Sequence, residues 1–407
     1  MTYDVIILGG GPNGLATALA LGGRVLPRRL RVLLLDQKHP GAPSQDSRGT
    51  ALTLSTQAML RVLGVWNDLS PLACEMRDVV VTDGDEIGNG KKPRLTLTTE
   101  VGRQAAASMV ENSKLHQVLV EAVLRSPDIT VLGGFQFERF ETTSAKIEVT
   151  DTIGRSYRAP LLVAADGRNS RVRQQLGTKT TSHDYGQTAL GFSIAIEKPH
   201  LGRAEEHFTS KGVLAVLPLQ GLAASIVWGT SPEHAAELMS LSDHEFDAAL
   251  QVQMGDHLGA ITLSSRRQAF PVVMQIANEL IGPRIALLGD AAHAIHPLAG
   301  LGLNLGFKDA AALADCVVAA CLRGGDIGSP TVLEHYQALR RFDTLSTSWA
   351  MDGLNGLFVN DNPVLQPLRK FGLRMVDQVS GLKSAIMNQA GGQSQNTPRL
   401  MRGLLPG

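Results

Sequence analysis

The chain has 407 residues, 43% of them hydrophobic and 4% aromatic, and its 38 basic and 38 acidic side chains give a formal net charge of zero. That length accommodates two or more domains with a sizeable core, and the balanced charge supplies no global field for nucleic acid or another polyanion. The three cysteines, Cys74, Cys316 and Cys321, form no CxxC pair and suit a reducing, cytoplasmic compartment rather than a disulfide scaffold or zinc site.

The N-terminus is apolar, but Asp4, the absence of a basic leader and the Gly/Pro/Asn interruption at 9–14 break it short of a membrane span. No other segment reaches spanning length, which leaves contact at a bilayer surface open. Residues 3–8 read as a β-branched strand, and the turn Gly9-Gly10-Gly11-Pro12-Asn13-Gly14 opens an Ala/Leu-rich helix that ends near Gly22. A G-x-G-x-x-G between strand and helix is the context of a dinucleotide fold. Gly9 permits the tight turn, Gly11 lets backbone approach a pyrophosphate, and Gly14 allows close packing of helix on strand. The next strand, 31–35, ends at Asp36, whose carboxylate is placed to accept hydrogen bonds from an adenosine ribose.

Residues 45–52 lead into a helix with Leu54, Met59, Leu60 and Leu63 on one face, and Arg48 stands at its lip with no evident local partner. Short strands are expected over 76–100, an amphipathic helix over 111–124 carrying Lys114 and Gln117 beside its apolar face, and three strands over 129–149. The apolar strand 161–165 ends at Asp166-Gly167, where ligands bind in open α/β sheets. Between 178 and 280 alternating segments predict an antiparallel sheet broken by one helix near 243–254. A second strand-then-aspartate, 285–288 with Gly289-Asp290, precedes a Gly/Pro-rich turn and a helix. Backbone N–H groups of Gly302, Leu303 and Asn304 at that helix start face whatever anion or carbonyl lies before them. Residues 336–389 read as helical and apolar, and the last dozen as a disordered tail.

The predicted architecture is α/β: a three-part, Rossmann-like parallel-sheet domain (1–75, 101–177, 281–345), an inserted, mainly antiparallel substrate-side sheet (76–100, 178–280), C-terminal helices (346–395) and the tail (396–407). His293-x-x-His296 has no carboxylate or cysteine at helical spacing beside it and is not read as a metal pair. No Ser-His-Asp or paired-carboxylate arrangement supports hydrolysis, and no single residue stands out as a catalytic base.

Gly9-x-Gly11-x-x-Gly14 with Asp36, then Asp166-Gly167, then Gly289-Asp290 with His296-Pro297 and Gly300-x-Gly302-x-Asn304, together resemble the three-part FAD signature of the p-hydroxybenzoate hydroxylase type. Asp46-x-Arg48-x-x-Ala51-Leu52, Ser225-Ile226-Val227-Trp228 and the stretch from His296 to Gly306 further resemble the ubiquinone-biosynthesis hydroxylases. Leu301 stands where that family commonly has glutamine, and Lys308 where arginine is usual.

The resemblance implies that Gly9, Gly11, Pro12, Asn13, Gly14 and Asp36 hold the ADP part of FAD, with Asp166 beneath the pyrophosphate. Gly289-Asp290 would serve the ribityl chain, and Arg48 and Gln117 would lie along the flavin. Pro297, Gly300, Gly302, Leu303 and Asn304 would border the ring, their donors stabilising charge on the reduced flavin. The implied activity is aromatic hydroxylation through a flavin C4a-hydroperoxide, with NAD(P)H as a transient reductant and O2 as co-substrate. The substrate would be a hydrophobic phenolic quinone precursor, met within a biosynthetic complex or at the inner membrane surface. A flavin-dependent reductase or dehydrogenase of an isoprenoid lipid and a non-catalytic flavoprotein subunit stay open beside it.

Overall fold

The computed structural model describes residues 3–23, 29–39, 41–42, 44, 46–83, 94–98, 100–101, 104–105, 107–209, 212–295, 302–358 and 397–406. Its first layer is a six-stranded sheet in the order Ile129–Leu132, Val32–Leu35, Val5–Leu8, Leu161–Ala164, Ile285–Leu287, Ile281–Gly282. The first five strands run parallel, and the last is an antiparallel edge. Val5–Leu8, Val32–Leu35, Leu161–Ala164 and Ile285–Leu287 are buried along their whole length. Their unbroken apolar runs are what a sheet covered on both faces demands. The helices Pro12–Gly22, Asn112–Leu124 and Gly302–Leu322 belong to the same core, as do Phe137, Ile147, Val149 and Ala159 of a small antiparallel sheet.

A nine-stranded sheet forms the second body, running Arg94–Thr98, Asp78–Asp83, Arg203–Thr209, Gly212–Leu219, Ala223–Thr230, Thr180–Ile196, Gln268–Ala277, His293–Ala294, with Ile261–Leu263 also on Thr180–Ile196. Every pairing in it is antiparallel except Arg203–Thr209 with Asp78–Asp83. Two helices, Pro232–Ser240 and Asp243–Met254, cover one face, where Phe192, Ile226 and Trp228 pack with Phe246 and Leu250. On the other face Ala204, Ala215 and Leu217 meet Ala51 and Met109 of the three-stranded sheet Gly49–Thr53, Ala107–Glu111, Cys74–Met76.

Several expectations change. The insert carries two helices rather than one: Ser231 caps the first by accepting from His234 N at 3.2 Å, and Pro232 opens it. Residues 49–53 are a fully buried strand rather than a lead-in to the helix Leu54–Val62, because Ala107–Glu111 supplies a distant ladder partner. The segment assigned wholly to the cofactor domain at 281–345 contributes His293–Ala294 to the large sheet, pairing with Gln275 and Ile276. The tail is not disordered over 397–406: Leu400 and Met401 are buried in the main core, and Arg399 N donates to Asp315 Oδ2 at 2.9 Å. Two apolar side chains with a core to enter outweigh the polar, Gly/Pro-rich composition around them. The last long helix begins at Pro330 and is described to Phe358; the rest of the expected 346–395 helical segment lies outside the described residues.

Candidate functional site

The carboxyl ends of Val5–Leu8, Val32–Leu35 and Leu161–Ala164 open onto a groove made of two joined cavities. The first, of about 490 Å³, is bordered by Gly9, Gly10, Gly11, Asp36, His116 and Asp166. Gly9 has φ +113° and sits so close to the neighbouring strand end that a β-carbon would lie 2.2 Å from Ala165 O. A β-carbon at Gly14 would lie 1.9 Å from Gly9 O, so strand and helix approach as only glycine permits. In front of Gly11 there is open space within 4 Å, room for a diphosphate against its backbone. Asp36 Oδ2 accepts from Gly10 N, and Oδ1 accepts from Lys38 N at 2.6 Å, which fixes the carboxylate at the adenosine end. His116 Nε2 donates to Gly10 O at 3.0 Å and borders both cavities.

The second cavity, of about 330 Å³, lies between the parallel sheet and the large sheet. Asn13, Asp290, Gly302 and Leu303 border it from one side, Arg48, Val227, Phe270 and Pro271 from the other. Arg48 is not unpartnered, as its sequence surroundings imply. It donates to Asp46 through Nε at 2.7 Å and Nη2 at 2.6 Å, and its guanidinium lies 5.1 Å from the centre of the Phe270 ring. Burial pushes the Asp46 carboxyl up, yet Arg48 and a 3.0 Å hydrogen bond from Asn112 Nδ2 hold it below the usual carboxylate range. The Arg48 guanidinium is held above its ordinary value, first by the Asp46 hydrogen bond, against desolvation, with Asp290 adding a second negative field.

Asn304 ties elements together through its side chain. Its Oδ1 accepts from Thr53 N at 3.1 Å and Thr56 Oγ1 at 2.7 Å, and its Nδ2 donates to Ala51 O at 2.6 Å. The helix Gly302–Leu322 is thereby tied to the strand before the second helix, and Gly302 and Leu303 of its first turn border the cavity. Asp290 rides on the one-turn 3-10 segment Gly289–Ala291, exposed to the groove. Asp166 caps the other strand end, its Oδ2 accepting from Val172 N at 3.3 Å, and burial raises its carboxyl above the usual range.

The structure thus brings Gly9, Gly11, Pro12, Asn13, Gly14, Asp36, Arg48, Asp166, Asp290, Gly302 and Leu303 to one groove. Gly289 and Asn304 border neither cavity, and Gln117 points away from both. Gln117 is exposed and donates to Glu121 Oε1 at 3.0 Å, because the helix turns its neighbour His116 into the groove instead. Pro297 and Gly300 lie outside the described residues, as does His296. His293 has a use of its own: Nε2 donates to buried Asp309 at 2.7 Å. Sequence reasoning missed His116, Asn112 and Phe270, and it missed Asp46 as the partner of Arg48. The Asp46-x-Arg48 spacing was a usable signal for the pair, since the two side chains leave the backbone on the same side of an extended segment.

The groove fits FAD on its own geometry. The glycine cradle, the carboxylate at one end and the helix N-terminus at the other match the ends of one dinucleotide. The buried Asn13 Oδ1 and Asp166 Oδ1 along it have no hydrogen-bond partner among the described residues, and such atoms are costly unless a ligand meets them.

Known proteins point the same way. A family model described as FAD binding domain matches residues 2–343. The ubiquinone hydroxylase UbiL of Rhodospirillum rubrum is 35% identical, over 98% of this chain and 93% of that one. The 3-demethoxyubiquinol 3-hydroxylase of Escherichia coli is 31% identical, over 95% of this chain and 98% of that one. Among solved structures, p-nitrophenol 4-monooxygenase PnpA from Pseudomonas putida shares the fold with a TM-score of 0.78 at 22% identity, covering 95% of this chain and 97% of that one.

Proposed function

The chain belongs to the FAD-binding domain family of flavin-dependent monooxygenases, and on that premise we propose that it hydroxylates the ring of a hydrophobic phenolic precursor in ubiquinone biosynthesis, with NAD(P)H as transient reductant and O2 as co-substrate. The observation that carries this reading is that the two cavities adjoin, with Gly11, Pro12, Asp46 and His116 bordering both. The adenosine end is closed by Asp36 on the parallel sheet, and the ring end opens against Phe270, Pro271 and Val227 of the large sheet. The two relatives, both named as hydroxylases of ubiquinone or its demethoxy form, support the substrate class.

FAD, when bound and reduced, supplies the oxygen activation; the chain's part is to hold and shield. The backbone at Gly9 and Gly11 would hold the diphosphate, Asp36 the ribose, Asp290 the ribityl hydroxyls, and the N–H groups of Gly302 and Leu303 the polar edge of the ring. Arg48, clamped by Asp46 and stacked on Phe270, keeps a fixed positive charge at the wall between cofactor and substrate. The apolar side of the second cavity, with Val227, Phe270 and Ile295, excludes water and accepts an aromatic ring. No helix among the described residues is long and apolar enough to cross a membrane, and a lipid-tailed substrate would be met by surface contact at the inner membrane or within a biosynthetic complex.

Turnover under 18O2 with candidate phenols tests the reading. One labelled oxygen per product for each NAD(P)H consumed is expected; nicotinamide oxidation that leaves the organic product unlabelled would contradict hydroxylation. Mass spectrometry of the quinone precursors that accumulate when the gene is deleted then names the ring position.

A further inference from the structure

The turn that carries Asp290 rests on a buried charge assembly that borders neither cavity. At its centre is Asp309, on the helix Gly302–Leu322, with 1% of its side chain exposed. Its Oδ2 accepts from Gly289 N at 2.9 Å and from His293 Nε2 at 2.7 Å, and its Oδ1 accepts from Arg340 Nε at 2.7 Å. Arg340 also donates to Asp343 Oδ2 at 2.5 Å, and Lys308 Nζ donates to Asp343 Oδ1 at 2.8 Å. Burial pushes the Asp309 carboxyl up, but the His293 and Arg340 fields hold it below the usual carboxylate range, so it stays an acceptor.

The geometry of these bonds matters more than their number. Gly289 N and the His293 ring lie on either side of Asp290, so a single carboxylate oxygen grips the 3-10 turn from both ends. Gly289 has φ +57°, and the Ala291 carbonyl accepts from buried Arg173 Nη1 at 2.7 Å. The second guanidinium nitrogen of Arg173 donates to Arg168 O at 2.7 Å, in the loop that follows Asp166. Meanwhile Asp309 belongs to the helix whose start, Gly302 and Leu303, borders the second cavity. One side chain therefore joins the element that presents Asp290 to the element that presents the helix N-terminus.

We propose that Asp309 is a positioning residue for the ribityl and ring end of FAD, setting the Asp290 carboxylate and the N–H groups at Gly302 and Leu303 as one rigid unit. The inference rests on reading the second cavity as the flavin end of the groove. A merely structural ion pair would behave differently: losing one partner of a buried pair lowers stability but leaves the ligand affinities of the folded protein untouched. Positioning predicts an effect at one end of the cofactor only.

The test is Asp309→Asn, which keeps the side-chain volume and removes the charge, measured on folded apoprotein with FAD and with ADP as separate ligands. Affinity for FAD is expected to fall about tenfold while affinity for ADP, which reaches only the Asp36 end, stays within about twofold. The flavin midpoint potential is expected to shift in the same variant, since the donors at the ring are displaced. Asp151→Asn, a buried carboxylate paired with Arg155 in the small sheet, is the control: it should lower the melting temperature and move neither affinity. Equal loss for FAD and ADP, or a lower melting temperature with both affinities intact, would overturn the proposal. Should Asp309→Asn fail to fold, His293→Leu removes one donor and is expected to weaken FAD about two- to fivefold with ADP unchanged; no change in FAD would overturn it equally. Wild-type apoprotein that takes ADP but refuses FAD would overturn the flavin reading of the second cavity itself, and this inference with it.

Discussion

The parallel sheet and the large antiparallel sheet furnish one groove by different means. On the parallel sheet the binding surface is backbone: a glycine turn, strand ends and a helix start, with side chains such as Asp36 held by main-chain donors. On the large sheet it is side chain: Phe270, Pro271 and Val227 face the cavity, and Gly49 and Ser47 reach Ser225 and Ser193 across the junction at 2.8 Å each. Backbone surfaces recognise what every dinucleotide shares, whereas side-chain surfaces can be altered one residue at a time. The cofactor half should therefore fail by losing FAD, and the substrate half by losing turnover with FAD retained.

The sharpest break is Gly14→Val. The new β-carbon meets the Gly9 carbonyl, which no side-chain rotation relieves, so a loss of about 3 kcal/mol or more in urea unfolding and a colourless protein are expected. Next comes Arg48→Met, which strands the Asp46 carboxylate and unstacks Phe270. A fall of about 100-fold in kcat/KM is expected, with FAD affinity changed by less than about fivefold. Arg48→Lys should recover little, since a point charge cannot reproduce the two-pronged contact. If Arg48→Met instead released FAD and spared turnover, the division between the two sheets would be wrong.

Asp36→Ala should act on the other half, weakening FAD about tenfold or more without changing kcat at saturating FAD. Titration of apoprotein by flavin fluorescence reads it directly.

The smallest effect lies on the far face of the large sheet. Glu205 Oε2 accepts from His207 Nε2 at 2.9 Å and from His257 Nε2 at 3.0 Å, and His207 Nδ1 meets Thr82 Oγ1 at 2.8 Å. The Glu205 hydrogen bond raises His257 above its ordinary value of 6.5, against desolvation and a repulsive Arg203. A group whose folded pKa is raised stabilises fully below its unfolded value and loses that contribution as pH rises through the folded one. The melting temperature should therefore fall as pH climbs above 6.5, and His257→Gln should flatten that slope while leaving FAD binding unchanged. Glu205 lies below the usual carboxylate range: burial raises it, and the two histidines more than reverse that. Its contribution is thus present above the unfolded value of 4.5 and lost only in strong acid.

The same contrast explains what could be read from the chain alone. The cofactor half was legible because its signals are local: Gly9 to Gly14 form one turn, Asp36 ends the next strand, and Asp166 and Asp290 each follow an apolar run. The mainly antiparallel insert was legible from periodicity. The rest depended on contacts between distant segments. Asp309 lies 20 positions from Gly289, and nothing in its Ala-rich helix marks it as the anchor of that turn. Phe270 reaches Arg48 only because Gln268–Ala277 pairs with Thr180–Ile196. Gln117 was placed along the flavin by the resemblance, whereas the helix Asn112–Leu124 turns His116 into the groove. The tail at 397–406 was misread because composition reports the solvent face and not the two residues that enter the core.

The most direct measurement is a crystal structure of the FAD-loaded protein. The account predicts the adenosine ribose at Asp36, the diphosphate before Gly11 and the ring in the second cavity between the helix start at Gly302 and the face carrying Arg48 and Phe270. A flavin ring lodged anywhere other than the junction of the two sheets, or an adenosine that leaves Asp36 without a ligand contact, would contradict it.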